Sequence, residues 1–247
     1  MAERTDAGKY GWRARIGYTS PPLTTEVFPF EFYKLAPEGV TLAVTSLAIV
    51  VRSKDEIDDS YDISMRAVRE MAAAGCDLVC LGGVPINLSR GDANARDVAR
   101  ALEAELGVKV TTSALAQERA AQALGARRMV VAHPYAEADT QRIAGYGRQF
   151  GGEVLGAMGW GSPFNRIAEV PRHAALEMGR RLMRENPGAD SILFLSPHWP
   201  TIDAIEPLEQ EFGVRVISAL QAIVWDALRG VGIEDRVQGY GRLLRDF

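Results

Sequence analysis

The sequence predicts an α/β protein made of two pseudo-symmetric αβ halves that face each other across a cleft. Three observations predict this fold. Residues 74–125 and 187–232 repeat the same series of motifs, short apolar runs alternate with longer helical patterns, and each half has four such runs. Alternation of strands and helices is typical of mostly parallel sheets. A repeat of two long units indicates two similar halves, because a solenoid needs at least about three units.

The repeat is defined by residues that keep the same order in both halves. Asp77 matches Asp190, and each is followed by an apolar run. Counting from each aspartate to the end of its run leads to Gly83 in the first half and Ser196 in the second. Further matching residues then follow in the same order: Leu102-Glu103 with Leu208-Glu209, Gly107-Val108 with Gly213-Val214, and Ser113-Ala114-Leu115 with Ser218-Ala219-Leu220.

Each predicted strand is a short apolar run bounded by turn residues, which is the pattern of a buried strand in a parallel sheet. Four are expected in each half, so each half should form a four-stranded, mostly parallel sheet flanked by helices. The predicted strands are Arg15–Thr19, Val40–Leu47, Leu78–Leu81, Lys109–Thr111, Arg128–Ala132, Glu153–Ala157, Ser191–Leu195 and Arg215–Ile217.

Helical periodicity fills the intervals between these strands. The clearest helix is Asp55–Ala74, because Ile63, Ala67 and Met71 recur on one face and Gly75 follows as a stop signal. The halves are predicted to span residues 1–125 and 126–247, with the last helix as a candidate to pack back on the first half. The other predicted helices are Ala93–Leu106, Ala138–Phe150, Ala174–Glu185, Pro207–Phe212 and Ala219–Leu228.

Composition argues against several classes of partner. A net charge of −4 and a pI near 5.5 lack the basic footprint of a nucleic-acid-binding protein. No apolar run approaches the roughly 18 residues of a membrane span, and the first residues lack the apolar core of a signal peptide. Cys76 and Cys80 lie too far apart along one strand for a disulfide, so we expect free thiols and a cytoplasmic protein. The sequence leaves assembly into a homo-oligomer open.

Candidate site residues follow the strands, because ligands bind beyond the carboxyl ends of parallel strands. Ser196, His198 and Tyr135 are the catalytic candidates, since a hydroxyl, an imidazole and a phenol can hold or protonate an anion. For each there is a structural alternative: backbone capping for Ser196, a surface loop position for His198 and a cleft wall for Tyr135. The candidate substrate-binding residues are Pro22, Thr24, Thr25, Gly83, Val84, His133 and Pro197.

Cofactor and metal motifs are missing from the sequence. There is no paired-histidine or paired-cysteine spacing for a metal, and Gly82-Gly83 is too short for a phosphate loop. We therefore expect a protein that needs neither a cofactor nor a metal. Thr24 and Thr25 are candidates to bind an anion, because they precede a predicted helix start, where hydroxyl and N–H groups suit a negative charge; ordinary helix capping is the alternative.

Specific motifs across nearly the whole chain resemble the aspartate/glutamate racemase superfamily, and most closely its arylmalonate decarboxylase and maleate cis–trans isomerase branch. They are I-G-Y-T-S-P-P at residues 16–22, D-L-V-C-L-G-G at 77–83, A-H-P-Y at 132–135, T-I-D-A-I at 201–205, W-D-A-L at 225–228 and G-Y-G-R-L at 239–243. The last three motifs are the most specific, and they are more similar to the decarboxylase than to the isomerase.

The resemblance also implies catalytic cysteines at one or both strand-end positions, and this chain departs from that pattern. The matching positions are Gly83 and Ser196, and the positions of the family's oxyanion donors match Val84 and Pro85. Tyr135 is the retained group. Since serine has no titration comparable to that of a thiol, racemisation by two bases is not expected.

Loss of CO₂ is compatible with these departures, because only the later protonation needs an acid, and His198 or Tyr135 can supply it. The sequence therefore predicts a cofactor-independent lyase, similar to a decarboxylase, that acts on a small carboxylate or carbonyl compound. Two alternatives remain open: a hydrolase that uses Ser196 and His198, and a non-catalytic protein that binds small anions.

Overall fold

The computed structural model describes residues 9–83 and 95–247, and its strands form two four-stranded sheets in which every pair is parallel. The strand orders β2-β1-β3-β4 and β6-β5-β7-β8 are the same arrangement repeated. The strands are β1 (Ala14–Pro22), β2 (Val40–Ile49), β3 (Leu78–Leu81), β4 (Lys109–Thr112), β5 (Arg128–His133), β6 (Glu153–Gly159), β7 (Ser191–Phe194) and β8 (Arg215–Ser218). The predicted α/β fold and its eight strands are confirmed.

The repeated aspartates explain why the two sheets begin in the same way. Asp77, just before β3, accepts a hydrogen bond from the backbone N–H of Arg15 at 2.9 Å. Asp190, just before β7, accepts one from the N–H of Arg128 at 3.2 Å. Each carboxylate thus ties the start of one central strand to the start of its neighbour.

Helices flank both sheets. A capping box sets the start of the longest one, because Ser53 accepts a hydrogen bond from the N–H of Glu56 while the Glu56 carboxylate accepts one from the N–H of Ser53. The helices are α1 (Val27–Leu35), α2 (Lys54–Ala73), α3 (Ala95–Leu106), α4 (Ser113–Leu124), α5 (Thr140–Gln149), α6 (Ala174–Glu185), α7 (Ile202–Phe212), α8 (Ala219–Gly230) and α9 (Arg242–Asp246).

Several helices differ from their predicted bounds. Helix α7 begins at Ile202, five positions before the predicted Pro207, so this proline lies inside the helix. The predicted segment at 138 begins instead as a 3₁₀ turn, Glu137–Asp139, that leads into α5. Helices α1, α4 and α9 were not predicted individually. Helix α4 is rich in alanine and buried on several sides, and this weakens the alternation of polar and apolar faces that predicts a helix.

The halves are joined by helices that cross between them. Helix α8 packs on α4 and on strands β3 and β4 of the first sheet, while α4 contacts β8 of the second. The short C-terminal helix α9 also contacts α4. Both large hydrophobic clusters contain residues from each half, so the two sheets share their cores. The boundary at residue 125 stays a prediction.

The structure places both cysteines in the interior as free thiols, as predicted. Cys80 is fully buried and Cys76 is 2% exposed. None of the helices in the described ranges is long and apolar enough to cross a membrane.

Candidate functional site

A cavity of about 680 Å³ lies where the carboxyl ends of the central strands of both sheets meet. This is the edge at which parallel sheets bind ligands. Its apolar lining consists of Pro21, Ile49, Ile57, Ile143, Phe164, Leu195 and Pro197. Its remaining lining consists of Gly83 and the polar residues Arg52, Ser113, Gln117, Tyr135, Tyr146, Ser196 and His198. We call this cavity the cleft.

The structure brings together all three catalytic candidates, since Ser196, His198 and Tyr135 line the cleft, as do Gly83 and Pro197. An adjoining pocket of about 700 Å³ shares Ile49, Phe164 and His198 with the cleft. The remaining predicted binding residues that lie near the cleft line this second pocket: Pro22, Thr24 and Thr25. Val84 and its neighbour Pro85 lie outside the described residues.

Gly83 and Ser196 occupy equivalent turns after the third strand of each sheet, and both turns are left-handed. Their φ angles are 78° and 75°. Glycine adopts this region freely, whereas an L-residue such as serine is strained in it. Ser196 is 8% exposed, and its hydroxyl has no hydrogen-bond partner among the residues that the structure describes. A strained residue with an unpartnered polar group in a cavity is a common feature of functional sites.

His198 is held by two hydroxyl groups from the first half. Its Nε2 lies 3.3 Å from the Tyr18 hydroxyl and its Nδ1 lies 3.3 Å from the Thr25 hydroxyl. Burial lowers the pKa of His198 to about 3, so the imidazole is neutral near pH 7. A neutral ring donates through one nitrogen and accepts through the other, and both nitrogens already have a partner.

The helix start predicted after Thr24 and Thr25 is present, because α1 begins at Val27. The capping alternative is wrong for both residues, since the N-cap is Glu26, Thr25 contacts His198 and Thr24 is exposed. His198 was expected to act as an acid, but burial destabilises its protonated, charged form. His198 instead lines both the cleft and the second pocket.

Two more unpartnered polar atoms belong to residues of the cleft. The Ser113 hydroxyl and the Gln117 Oε1 are buried without a hydrogen bond to any residue in the described ranges, while the Gln117 amide N–H donates to the Ser113 carbonyl at 2.6 Å. Both residues lie on the first turns of α4. Ser113 belongs to the repeated triplet that the sequence revealed, and its position one turn before Gln117 was the signal that could have identified both.

Tyr135 belongs to a stacked wall. Its ring stacks on Phe164 with centroids 6.1 Å apart, and the Arg52 guanidinium lies 4.2 Å from the Tyr135 centroid. Tyr146, on α5, also lines the cleft, and burial raises the pKa of its hydroxyl. Arg52 and Tyr146 were missed by sequence reasoning, because neither follows a predicted strand directly.

The remaining candidates do not reach the cleft. His133 is fully buried at the end of β5, where its Nε2 lies 3.0 Å from the Thr140 hydroxyl and burial lowers its pKa to about 4. Neither Cys76 nor Cys80 lines the cleft, and burial raises the pKa of both thiols. Across 9–83 and 95–247, no group of three or more histidine, cysteine, aspartate or glutamate residues is arranged to hold a metal.

Comparisons with known proteins agree with this fold and this cleft. A sequence model of the arylmalonate decarboxylase family matches residues 16–244. Arylmalonate decarboxylase from Bordetella bronchiseptica is 29% identical over 192 residues, which cover 75% of this chain and 80% of that protein. Maleate isomerase from Geobacillus stearothermophilus is 24% identical over 217 residues, which cover 85% of this chain and 86% of that one.

Solved structures give the same result. A liganded arylmalonate decarboxylase that carries a glycine-to-cysteine and a cysteine-to-serine substitution superimposes with a TM-score of 0.85 at 26% identity, over 95% of this chain and 100% of that one. Maleate isomerase from Pseudomonas putida S16 superimposes with a TM-score of 0.83 at 24% identity, over 94% and 98% of the two chains, and supports the fold. The resemblance found in the motifs is confirmed, and the protein is similar to these two enzymes, a decarboxylase and an isomerase, over most of its length.

Proposed function

Because the chain belongs to the arylmalonate decarboxylase family, we propose that it is a lyase that removes CO₂ from a small carboxylate without a cofactor. The proposed substrate carries a second carboxyl or carbonyl group next to the carbon that loses CO₂. The observation that carries the proposal is the cleft itself: a largely apolar cavity lined by Ser196, whose backbone is strained and whose hydroxyl has no partner among the described residues.

The apolar side of the cleft supports loss of a carboxylate. Ile49, Ile57 and Ile143 line it and offer no hydrogen bond to an anion. A carboxylate held against such a surface loses its hydration, and its charge is relieved when CO₂ departs. A site that stabilises the transition state more than the bound substrate accelerates the chemical step.

The polar side supports the charge that develops after CO₂ leaves. The carbon–carbon bond breaks, its electron pair stays on the α-carbon, and the adjacent carboxyl or carbonyl group takes up the charge as an enolate. The hydroxyl groups of Ser196, Ser113 and Tyr135 are donors in the same cavity. Such donors stabilise an oxyanion most strongly in a dry, preorganised site.

The reaction is completed by a proton on the α-carbon, and the proposed donor is Tyr135. His198 is not proposed as the proton donor, because burial lowers its pKa to about 3 and both of its ring nitrogens have hydrogen-bond partners. We propose instead that His198 positions the turn at Ser196 and closes the cleft toward the second pocket. Gly83 and Ser196 stand where the resemblance implies cysteines, so a proton relay through thiols is not part of this proposal.

The hydrolase alternative loses its main support. A serine nucleophile needs a base within hydrogen-bond reach, yet the Ser196 hydroxyl has no partner in the described part of the chain and the nitrogens of His198 bond Tyr18 and Thr25. A non-catalytic anion-binding protein was expected to have a cleft without titratable groups. The cleft contains Arg52 and Tyr146 in addition to Tyr135.

The test is an assay of the purified protein with a panel of 2-substituted malonates and with maleate, followed by NMR. We expect CO₂ and the corresponding monocarboxylate from at least one malonate, and no fumarate from maleate. Reactions without enzyme correct for spontaneous decarboxylation. Formation of fumarate from maleate, with no CO₂ from any malonate, contradicts the lyase proposal and favours an isomerase. Hydrolysis of an aryl ester by the wild-type protein, lost in Ser196→Ala, favours the hydrolase.

A further inference from the structure

Arg52 is a cation in the wall of an otherwise largely apolar cleft. It follows β2 in a left-handed conformation, with φ 63°, which strains an arginine. Its side chain is nevertheless 11% exposed, so the long aliphatic stem and the guanidinium are directed inward and not into solvent. An inward-facing arginine on a strained turn is unusual, because arginine is almost never buried unless it is paired.

The guanidinium is only partly compensated by the protein. It lies over the faces of Tyr135 and Phe164, with centroid distances of 4.2 and 5.4 Å. Its one carboxylate neighbour among the described residues is Asp139, whose Oδ2 is 3.7 Å from Nη1, beyond hydrogen-bond distance. Asp139 also pairs with Arg142. Within the described part of the chain the guanidinium N–H groups therefore keep unused donors next to the cavity.

We propose that Arg52 binds a carboxylate of the substrate that is retained through the reaction, and so selects substrates with an additional, distal carboxylate. This inference rests on the proposed function. A guanidinium matches a carboxylate through two parallel N–H bonds, and the Tyr135 and Phe164 rings fix its plane. Asp139 and the rings hold the group in place without satisfying it.

The chemistry explains why the bound carboxylate is the retained one. A cation on the carboxylate that departs as CO₂ stabilises the bound substrate more than the transition state, in which that charge is lost, and so slows the reaction. A cation on a distal carboxylate binds substrate and transition state equally. Loss of Arg52 is therefore expected to raise KM for a substrate with a distal carboxylate and to leave kcat nearly unchanged.

The experiment measures binding separately from turnover. Phenylacetate and 4-carboxyphenylacetate, which model the products of the two substrate types, are titrated calorimetrically into the wild-type protein and into Arg52→Met. We expect wild type to bind the second ligand roughly 10- to 100-fold more tightly, as for hydrogen bonds to a charged group, and Arg52→Met to show no preference. Arg52→Lys, which keeps the charge but not the planar fork, should retain part of the preference.

Arg142→Gln is the matched control, because it removes the other arginine that pairs with Asp139 and Arg142 does not line the cleft. It should preserve the preference, and thermal unfolding of each variant checks folding. Equal wild-type affinity for the two ligands, no wild-type binding of either, or an unchanged preference in folded Arg52→Met overturns the role of Arg52. Absence of CO₂ release from every malonate, with the Arg52-dependent preference intact, overturns the proposed lyase function alone.

Discussion

The turns at Gly83 and Ser196 share a left-handed backbone and differ in the side chain that they present to the cleft. Gly83 presents no side chain, while Ser196 presents a hydroxyl that has no hydrogen-bond partner within residues 9–83 and 95–247. The second half adds His198, held by two hydroxyls of the first half. The repeat therefore preserves the backbone of both turns, and the chemistry we propose depends on the second turn.

Making the two turns alike should have the largest effect. In Ser196→Gly the strain of the left-handed residue is relieved and the hydroxyl is lost. We expect kcat/KM to fall roughly 100-fold or more, as when one oxyanion donor is removed, while the free energy of unfolding rises by up to about 1 kcal/mol. Initial rates and urea denaturation measure the two quantities.

Ser196→Ala is the control that separates them. It loses the hydroxyl but keeps the left-handed strain, so it should lose as much activity as Ser196→Gly without the gain in stability. Full turnover in both variants excludes a role for the Ser196 hydroxyl.

Tyr135→Phe tests whether the other strand-end group works with Ser196. The phenol is removed while the ring still stacks on Phe164 and beneath Arg52. We expect kcat/KM to fall by roughly 10- to 100-fold, somewhat less than for Ser196, because the neighbouring hydroxyls remain. Tyr33→Phe, on an exposed position of α1, is the control and should keep its activity. An unchanged rate in Tyr135→Phe excludes Tyr135 as the proton donor.

The buried histidine of the second turn should make stability depend on pH. The pKa of His198 is lowered to about 3 in the folded protein, against about 6.5 in the unfolded chain. As pH falls, the unfolded state therefore takes up the proton first. The stability that the protein has above pH 6.5 is reduced progressively as pH falls toward 3. We expect this residue to lower the free energy of unfolding by about 2–4 kcal/mol over that range.

The measurement is the free energy of unfolding of wild type and His198→Gln between pH 4 and pH 8. The variant should lose less stability on the acid side, while His133, with a pKa lowered to about 4, acts in the same direction in both proteins. Glu31, whose pKa is raised by burial to about 7, acts oppositely and is also common to both. Parallel curves for the two proteins contradict the assignment to His198.

The smallest effect is expected for the two thiols, Cys80 in β3 and Cys76 just before that strand. Cys76→Ala and Cys80→Ala should each cost on the order of 1 kcal/mol in packing and leave turnover intact. Neither residue lines the cleft, and both thiols are buried. Assays before and after alkylation under native conditions check this; loss of activity in a protein that remains folded rejects it.

The strands and the equivalence of Gly83 with Ser196 were predictable, because apolar runs and repeat spacing are local properties of the chain. The partners of His198 were not, since Tyr18 and Thr25 lie 180 and 173 residues away along the chain. Those same contacts bury the His198 ring, and burial excludes His198 as a proton donor. Long-range packing therefore determined the role of a residue whose position the sequence had identified.

Arg52 illustrates a second limit. In the sequence it is an ordinary arginine before the capping box at Ser53, where a solvent-exposed side chain is the normal expectation. Its positive φ and the rings of Tyr135 and Phe164 direct it into the cleft. Backbone strain at a non-glycine residue leaves no pattern in hydrophobicity or spacing, so only the structure reveals it.

The most direct test of the account is a crystal structure of the protein with phenylacetate, a product of the proposed reaction type. We predict that its carboxylate lies in the cleft between the two halves, within hydrogen-bond distance of the Ser196 and Tyr135 hydroxyls, with the phenyl ring on the apolar side. A ligand bound at the second pocket beside Thr24, or in the cleft with no contact to Ser196 or Tyr135, contradicts the proposed site.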